Sequence, residues 1–305
     1  MSAGWVGGSV RALAVARRCV GAGAARDLAR RPVVDAVRTL SHTVYGSRVA
    51  VGMPDAGVER GLAETVVWHL RVLAGWQPPA GVRALRALAG WFEIANVDER
   101  MAGWAGTPAD PPFALGALAI AWPRLHRARD GQELRAALAA SPWGDPGGTD
   151  ARTIGLHMRA AWARRVGVHV PSARSWAAGG VALLVARERH VLVGVLPAAA
   201  AATAARSIGR TAAGAPSWPS FVAALPGPAR WVFEPGDGPG ELWRAEARWW
   251  RRVHADAAAL LAAPREGQHR VVGAAVLLAV DAVTVRAALA AAVRCGGTEL
   301  VDALA

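Results

Sequence analysis

Three times, at nearly constant spacing, an acidic residue falls inside an apolar run of helical period in this chain. The fullest copy is Val82 to Arg100, "VRALRALAGWFEIANVDER". Read at 3.6 residues per turn, Leu85, Leu88, Phe92 and Ala95 form one apolar stripe, while Glu93, Asn96, Val97 and Arg100 share a second face. Fainter copies are "VALLVARERHVLVGV", with Glu188 at the acidic position, and "AVLLAVDAVTVRAAL", with Asp281. The separations are 188 − 93 = 95 and 281 − 188 = 93, each close to a third of the 305 residues. Such regularity predicts three related units, here 1–106, 107–196 and 197–305.

The flanks extend the recurrence. Aligning Tyr45 on Trp143 matches Leu40 with Leu138, Thr43 with Ser141, Gly46 with Gly144 and Asp35 with Glu133. Trp231, six residues after Leu225, is a weaker third match. The ending "TELVDALA" restarts the pattern, since Glu299, Leu300 and Leu304 echo Glu133, Leu134 and Leu138. The C-terminal segment is therefore expected to return toward the first unit.

Alanine, the strongest helix former, inflates the 53% hydrophobic content, and strand-favouring Tyr and Phe number only 1 and 4. An all-α fold follows. Apolar faces at helical spacing appear in Leu62, Val66, Leu70 and Leu73 and in Ile154, Met158, Ala161 and Trp162. They recur from Leu242 to Leu261. Residues 9–30 read as two short helices broken at Gly21 and Gly23, Pro32 suits the start of a third, and Asp150 and Ser220 are expected caps. "VLVGVL" (Val191 to Leu196) admits a short strand as an alternative, because β-branched residues crowd there. The apolar runs Gly179 to Ala205 and Val271 to Val293 carry charges at mid-span, and both read as buried helices rather than membrane spans.

All 35 basic residues are arginine. Without lysine there is no Walker A lysine and no Schiff-base amine. The eight histidines form no H-E-x-x-H or H-x-H grouping, and Cys19 and Cys295 are too few for a zinc site or a disulfide framework. No metal site is expected. "GAGAAR" lacks the third glycine of a dinucleotide loop, so no cofactor is expected either. The opening residues lack the apolar core of a secretory signal, which with the few cysteines suggests a reduced, cytoplasmic setting. Glu93, Glu188 and Asp281 read as structural ion pairs or interface residues beside abundant arginine rather than as a catalytic set. The fourteen tryptophans read as core packing rather than as a stacking surface for nucleic acid. The net charge of +12 favours acidic partners, whether nucleic acid, anionic headgroups or an acidic protein face.

With the units laid out, the chain resembles the d/C subunit family of rotary V-type and A-type ATPases. The similar stretches are "VRALAVARRCVGAGAARDLA", Leu40-x-x-Thr43-x-Tyr45, and "FEIANVDER", which looks like that family's E-x-x-N-[LV]-R helix. "FALGAL" and "DAVTVRAAL" followed by "GGTELVDALA" add to the match. It covers most of the chain and is weakest between Pro197 and Gly240. The family arginine falls on Asp98 here, Arg286 occupies the corresponding place in the third copy, and Thr284 replaces the asparagine.

The resemblance implies three similar helical units in a pseudo-threefold, funnel-like arrangement. Such a subunit is non-catalytic, binds no nucleotide, and sits at the cytoplasmic face of the membrane. It couples a proteolipid rotor ring (c/K type) to central-stalk subunits (D/F type), with anionic headgroups nearby. Glu93, Asn96, Arg100, Glu188, Asp281, Thr284 and Arg286 are the expected interface or unit-core polar residues. The runner-up reading is a basic helical nucleic-acid-binding protein, and a third is an enzyme whose site one sequence does not reveal.

Overall fold

Apolar residues three and four apart, separated by Gly/Pro punctuation, become helices throughout. The computed structural model describes residues 3–264, 267–294 and 296–304; Cys295 lies outside them. These residues are 72% helical and contain no strand. Along the chain the order is short helices, an aromatic residue, then a pair of longer helices joined by a short link, and that order occurs three times. First come α1 (Ala3–Ala16), α2 (Gly21–Ala29) and α3 (Val33–Leu40), then Tyr45, α4 (Asp55–Ala74) and α5 (Pro79–Trp104). Next are α6 (Trp122–Leu125) and α7 (Gly131–Ala139), then Trp143, α8 (Ala151–His169) and α9 (Arg174–Ala186). Last are α10 (Ala198–Ile208), α11 (Arg210–Gly214), α12 (Trp218–Ala224) and α13 (Gly227–Arg230), then Trp231, α14 (Leu242–Ala262) and α15 (Gln268–Val293), with α16 (Glu299–Leu304) at the end.

By packing, the chain divides into two compact units: Met1–Leu85 with Trp250–Ala305, and Arg86–Trp249. The divisions fall within α5 and α14 and do not coincide with the three sequence segments. In the first unit α15 is the central element, packed against α1, α2, α3, α4 and α16. It is apolar on every side, and by length and composition alone it is long enough to cross a membrane; in this fold most of it is buried by its neighbours. Gly273 permits the tight crossing with α14, since a Cβ there would lie 2.6 Å from the Ala257 carbonyl oxygen. Tyr45, Leu40, Leu28, Leu62 and Val285 form the centre of this core, all at most 2% exposed. Burying each leucine contributes about 1.5–3 kcal/mol.

The second unit has two apolar centres. One joins Ile94 and Val97 of α5 to Leu125, Leu134, Leu138, Trp143, Ile154 and Met158. The other gathers α9 to α13 around Phe221, whose ring meets His190, Trp218 and Phe233 at centroid distances of 5.2–6.1 Å. Asp130 caps α7 by accepting the Gln132 and Glu133 N–H groups, and Asp150 caps α8 through the Thr153 N–H at 2.9 Å.

Four local expectations are corrected. Gly21 and Gly23 open α2 rather than break it; the break falls at residues 17–20, and Gly21 takes a φ of +78° that favours glycine. Ser217 is the cap of α12, and Ser220 is its reciprocal partner in a capping box. Val191 to Leu196 forms no strand, and no second strand occurs among the described residues to pair with it. Instead α9 ends in a π-turn, Arg187–Val191, followed by an exposed irregular stretch in which Val193 has φ +49°. Finally, the face of α5 bearing Glu93 and Val97 is buried, at 0% exposure each, whereas of the apolar stripe only Leu85 is buried and Leu88, Phe92 and Ala95 are half-buried.

Candidate functional site

A carboxylate on the inner face of a core helix must be met by donors, because burying it unpaired costs several kcal/mol. Glu93 of α5 is met three times. The Ile120 N–H donates to Oε2 at 2.6 Å, the Ala121 N–H to Oε1 at 2.8 Å, and the Trp143 indole N–H to Oε1 at 2.7 Å. Residues 120 and 121 immediately precede α6, so their N–H groups have no helical partner and the acid supplies one. Two further residues on the same α5 face continue the seam. Asn96 exchanges hydrogen bonds with the Phe113 backbone at 2.6 and 3.1 Å, and Arg100 donates twice to the Ala128 carbonyl. Positions i, i+3 and i+7 of one helix thus pin residues 113–128.

Asp281 of α15 repeats this geometry in the other unit. It accepts the Val20 N–H at 3.1 Å, the Gly21 N–H at 2.7 Å and the Tyr45 hydroxyl at 2.7 Å. Here too the two N–H groups are consecutive and sit at a helix start. The turns that deliver the aromatic donors match atom for atom. Thr43 and Ser141 each donate to the carbonyl three residues back, Leu40 or Leu138, at 2.7 Å. Each hydroxyl then accepts the N–H of the aromatic residue two positions on, at 3.3 and 3.1 Å. Gly46 and Gly144 close the turns on the Thr43 and Ser141 carbonyls. Glycine is needed at both: a Cβ on Gly46 would stand 2.0 Å from the Ser41 carbonyl oxygen, and Gly144 has φ +85°.

Burial raises the pKa of Asp281 above the usual carboxylate value, opposed by the three donors. The Tyr45 hydroxyl is pushed up by burial first and then by the Asp281 charge, so it stays protonated and donates. The same two causes push the Cys19 thiol up to about 12, which leaves it a thiol rather than a nucleophile.

Glu188 is held differently. It lies at the π-turn, buried, and pairs with Arg152 at 2.7 Å, while Arg152 also donates to the Val195 carbonyl. Among the described residues only Glu188 of the three acids pairs directly with an arginine; backbone N–H groups and aromatic donors hold the other two, with the Arg165 guanidinium acting on Glu93 through its charge. Thr284 is buried and donates to the Val280 carbonyl one turn back. Arg286 is exposed and makes no hydrogen bond or ion pair among the described residues. Asn96, Arg100 and Thr284 are thus engaged within their own units.

The tryptophans follow the expectation of core packing in part: Trp122, Trp162, Trp218, Trp231 and Trp249 pack against the apolar centres of the second unit. Trp143 and Trp176 are buried, but Trp68, Trp76, Trp91, Trp104 and Trp243 are 37–57% exposed. Four of these carry an arginine over the ring: Arg11 on Trp76, Arg159 on Trp91, Arg100 on Trp104 and Arg244 on Trp243, at 5.2–5.7 Å. The sequence signal was present in pairs such as "WR" and in the i, i+4 spacing of Arg100 and Trp104. A second exposed feature is the stretch after the π-turn, where Leu192, Val193 and Val195 are 61–84% exposed. No group of three His, Cys, Asp or Glu suited to a metal occurs among the described residues. Compared with known proteins, the chain matches no family model and no curated protein.

Proposed function

We propose that this chain is a non-catalytic subunit of a proton-translocating rotary ATPase of V or A type, in the position of the d/C subunit. In this reading it lies at the cytoplasmic face of the membrane, peripheral, between a proteolipid ring and central-stalk subunits of D/F type. It passes torque during ATP synthesis or ion transport and uses no cofactor. The supporting observation is the paired carboxylate lock. The residues through which the sequence resembles that family, Glu93 with Asn96 and Leu40-x-x-Thr43-x-Tyr45, are the ones that bind helices into rigid units. A part that transmits torque needs such stiffness, and repeating the lock in both units gives it to each. The exposed apolar stretch at 191–195 and the exposed Arg286 are then surfaces for docking.

The test is a competition. The chain is co-purified with the ring and stalk subunits of its own organism and then challenged with excess non-specific duplex DNA. A torque-transmitting adaptor stays with the complex, since shape and buried apolar contacts add to charge at a stable interface. The second reading, a nucleic-acid-binding protein, is favoured by the arginine-stacked exposed tryptophans together with the +12 charge. Transfer of the chain to DNA, or failure to assemble with either rotor partner at any salt concentration, overturns the rotor reading.

A further inference from the structure

The end of α1, one face of α2 and the end of α3 border an open cavity of about 540 Å³ in the first unit, within the size range of small-molecule sites. Its accessible apolar lining is Val20, Ala24 and Val44, over the buried Leu28 and Leu40, and its polar lining includes Arg18, Arg31 and His42. Arg18 makes no hydrogen bond or ion pair among the described residues. Arg31 has one partner, the Thr39 hydroxyl at 3.1 Å. The single carboxylate in the lining, Asp27, lies 3.7 Å from Arg30. Asp281 accepts the Val20, Gly21 and Tyr45 donors, and no hydrogen bond or ion pair joins it to either arginine among the described residues. The Thr39 and Thr43 hydroxyl protons are also committed, to the Asp35 and Leu40 carbonyls.

The cavity is therefore lined by two guanidiniums with unused donors and an imidazole, against the one Asp27 carboxylate that Arg30 pairs, beside an apolar wall. We propose that this cavity binds a small organic phosphate, its phosphate group held by Arg18 and Arg31 and its apolar body on Val20, Ala24 and Val44. Guanidinium forks match phosphate oxygens bidentately, and the volume exceeds what a bare ion fills. The same chemistry is offered by a soluble phosphate ester or by the headgroup of a phosphomonoester lipid. This assignment is independent of the rotor reading.

The experiment titrates the purified full-length chain with phenyl phosphate by calorimetry. In parallel, flotation is measured with phosphatidylcholine vesicles with and without phosphatidic acid. The pocket variant is Arg18→Gln with Arg31→Gln. A second, Ala24→Phe, fills the cavity without changing charge. A charge-matched control, Arg127→Gln with Arg210→Gln, alters exposed arginines of the other unit. Circular dichroism melts confirm that all fold alike. Saturable phenyl phosphate binding that weakens about tenfold or more in both pocket variants, with the control unchanged, supports a soluble ligand. Flotation that requires phosphatidic acid and fails in the same two variants supports a lipid source. If neither probe binds, or the control loses as much as the pocket variants, the proposal is overturned.

Discussion

Replacing Glu93 by glutamine keeps the shape of the side chain and removes only its charge and one acceptor, so its cost measures the lock directly. If the amide oxygen takes the place of Oε1, the bonds from the Ala121 N–H and the Trp143 indole survive as neutral ones. Bonds to a charged acceptor contribute about 1.5–3 kcal/mol and neutral ones about 1, so these two together lose about 2 kcal/mol. The amide NH₂ then faces the Ile120 N–H, which is left without an acceptor at a further cost of about 1–3 kcal/mol. The expected total is about 3–5 kcal/mol.

Two units need not unfold together, so a global melt is a poor measure and site-resolved amide exchange is the better one. Protection at Ile120 and Ala121 is expected to fall by about a hundredfold or more in E93Q. Trp143→Phe retains the charge and removes one donor, and should lower protection less. In the double variant the two losses should not add, because Trp143→Phe deletes the indole bond that E93Q only weakens. Unchanged protection at both amides in E93Q, with less than about 1 kcal/mol lost in urea melts of the second unit, would refute the argument that Glu93 holds α5 to the start of α6.

Tyr45→Phe should cost about 1.5–3 kcal/mol at neutral pH by deleting the hydroxyl bond to Asp281. A buried acid whose folded pKa is raised has stability that is fully present below its unfolded value of 3.8 and lost as pH rises through the folded one. Losing the Tyr45 bond raises the folded value further, so urea melts should show a larger deficit at pH 7 than near pH 4; a deficit constant with pH sinks this account. His69 has the opposite sign. Burial first, and then Arg18, lower its pKa from 6.5 to about 4, so its contribution is present above 6.5 and lost as pH falls toward 4. Thermal melts should therefore show the native chain losing more stability than His69→Gln over that window, and equal losses would exclude His69 as the cause. Val193→Gly should stabilise by about 0.5–1 kcal/mol, because left-handed backbone costs an L-residue about 1–2 kcal/mol while glycine costs about 0.5–1 in entropy. The Val193 side chain is 84% exposed and has little packing to lose, so a destabilised variant would show that it makes a contact that matters.

Much of this protein was legible in one dimension. Alanine content and 3.6-period stripes determine an all-helical chain, because helix formation depends on local propensity and local spacing. The correspondence of Leu40, Thr43, Tyr45 and Gly46 with Leu138, Ser141, Trp143 and Gly144 was also visible, since a turn of this kind is built from residues within six positions of each other. Even the acids stood out, as charges inside apolar runs. Their partners did not. Composition suggested arginine, yet Glu93 and Asp281 are satisfied by backbone N–H groups, which every residue but proline carries and which leave no trace in a sequence.

Only the tertiary structure joins Asp281 to Val20, Gly21 and Tyr45 across more than 230 positions of chain. It also decides which face of α5 turns inward. A helical wheel ranks faces by apolarity, whereas burial of the Glu93 face depends on whether waiting donors can meet a carboxylate. The exposed tryptophans follow the same logic: whether an aromatic residue is core or surface is set by what packs over it, and that is a property of the whole chain.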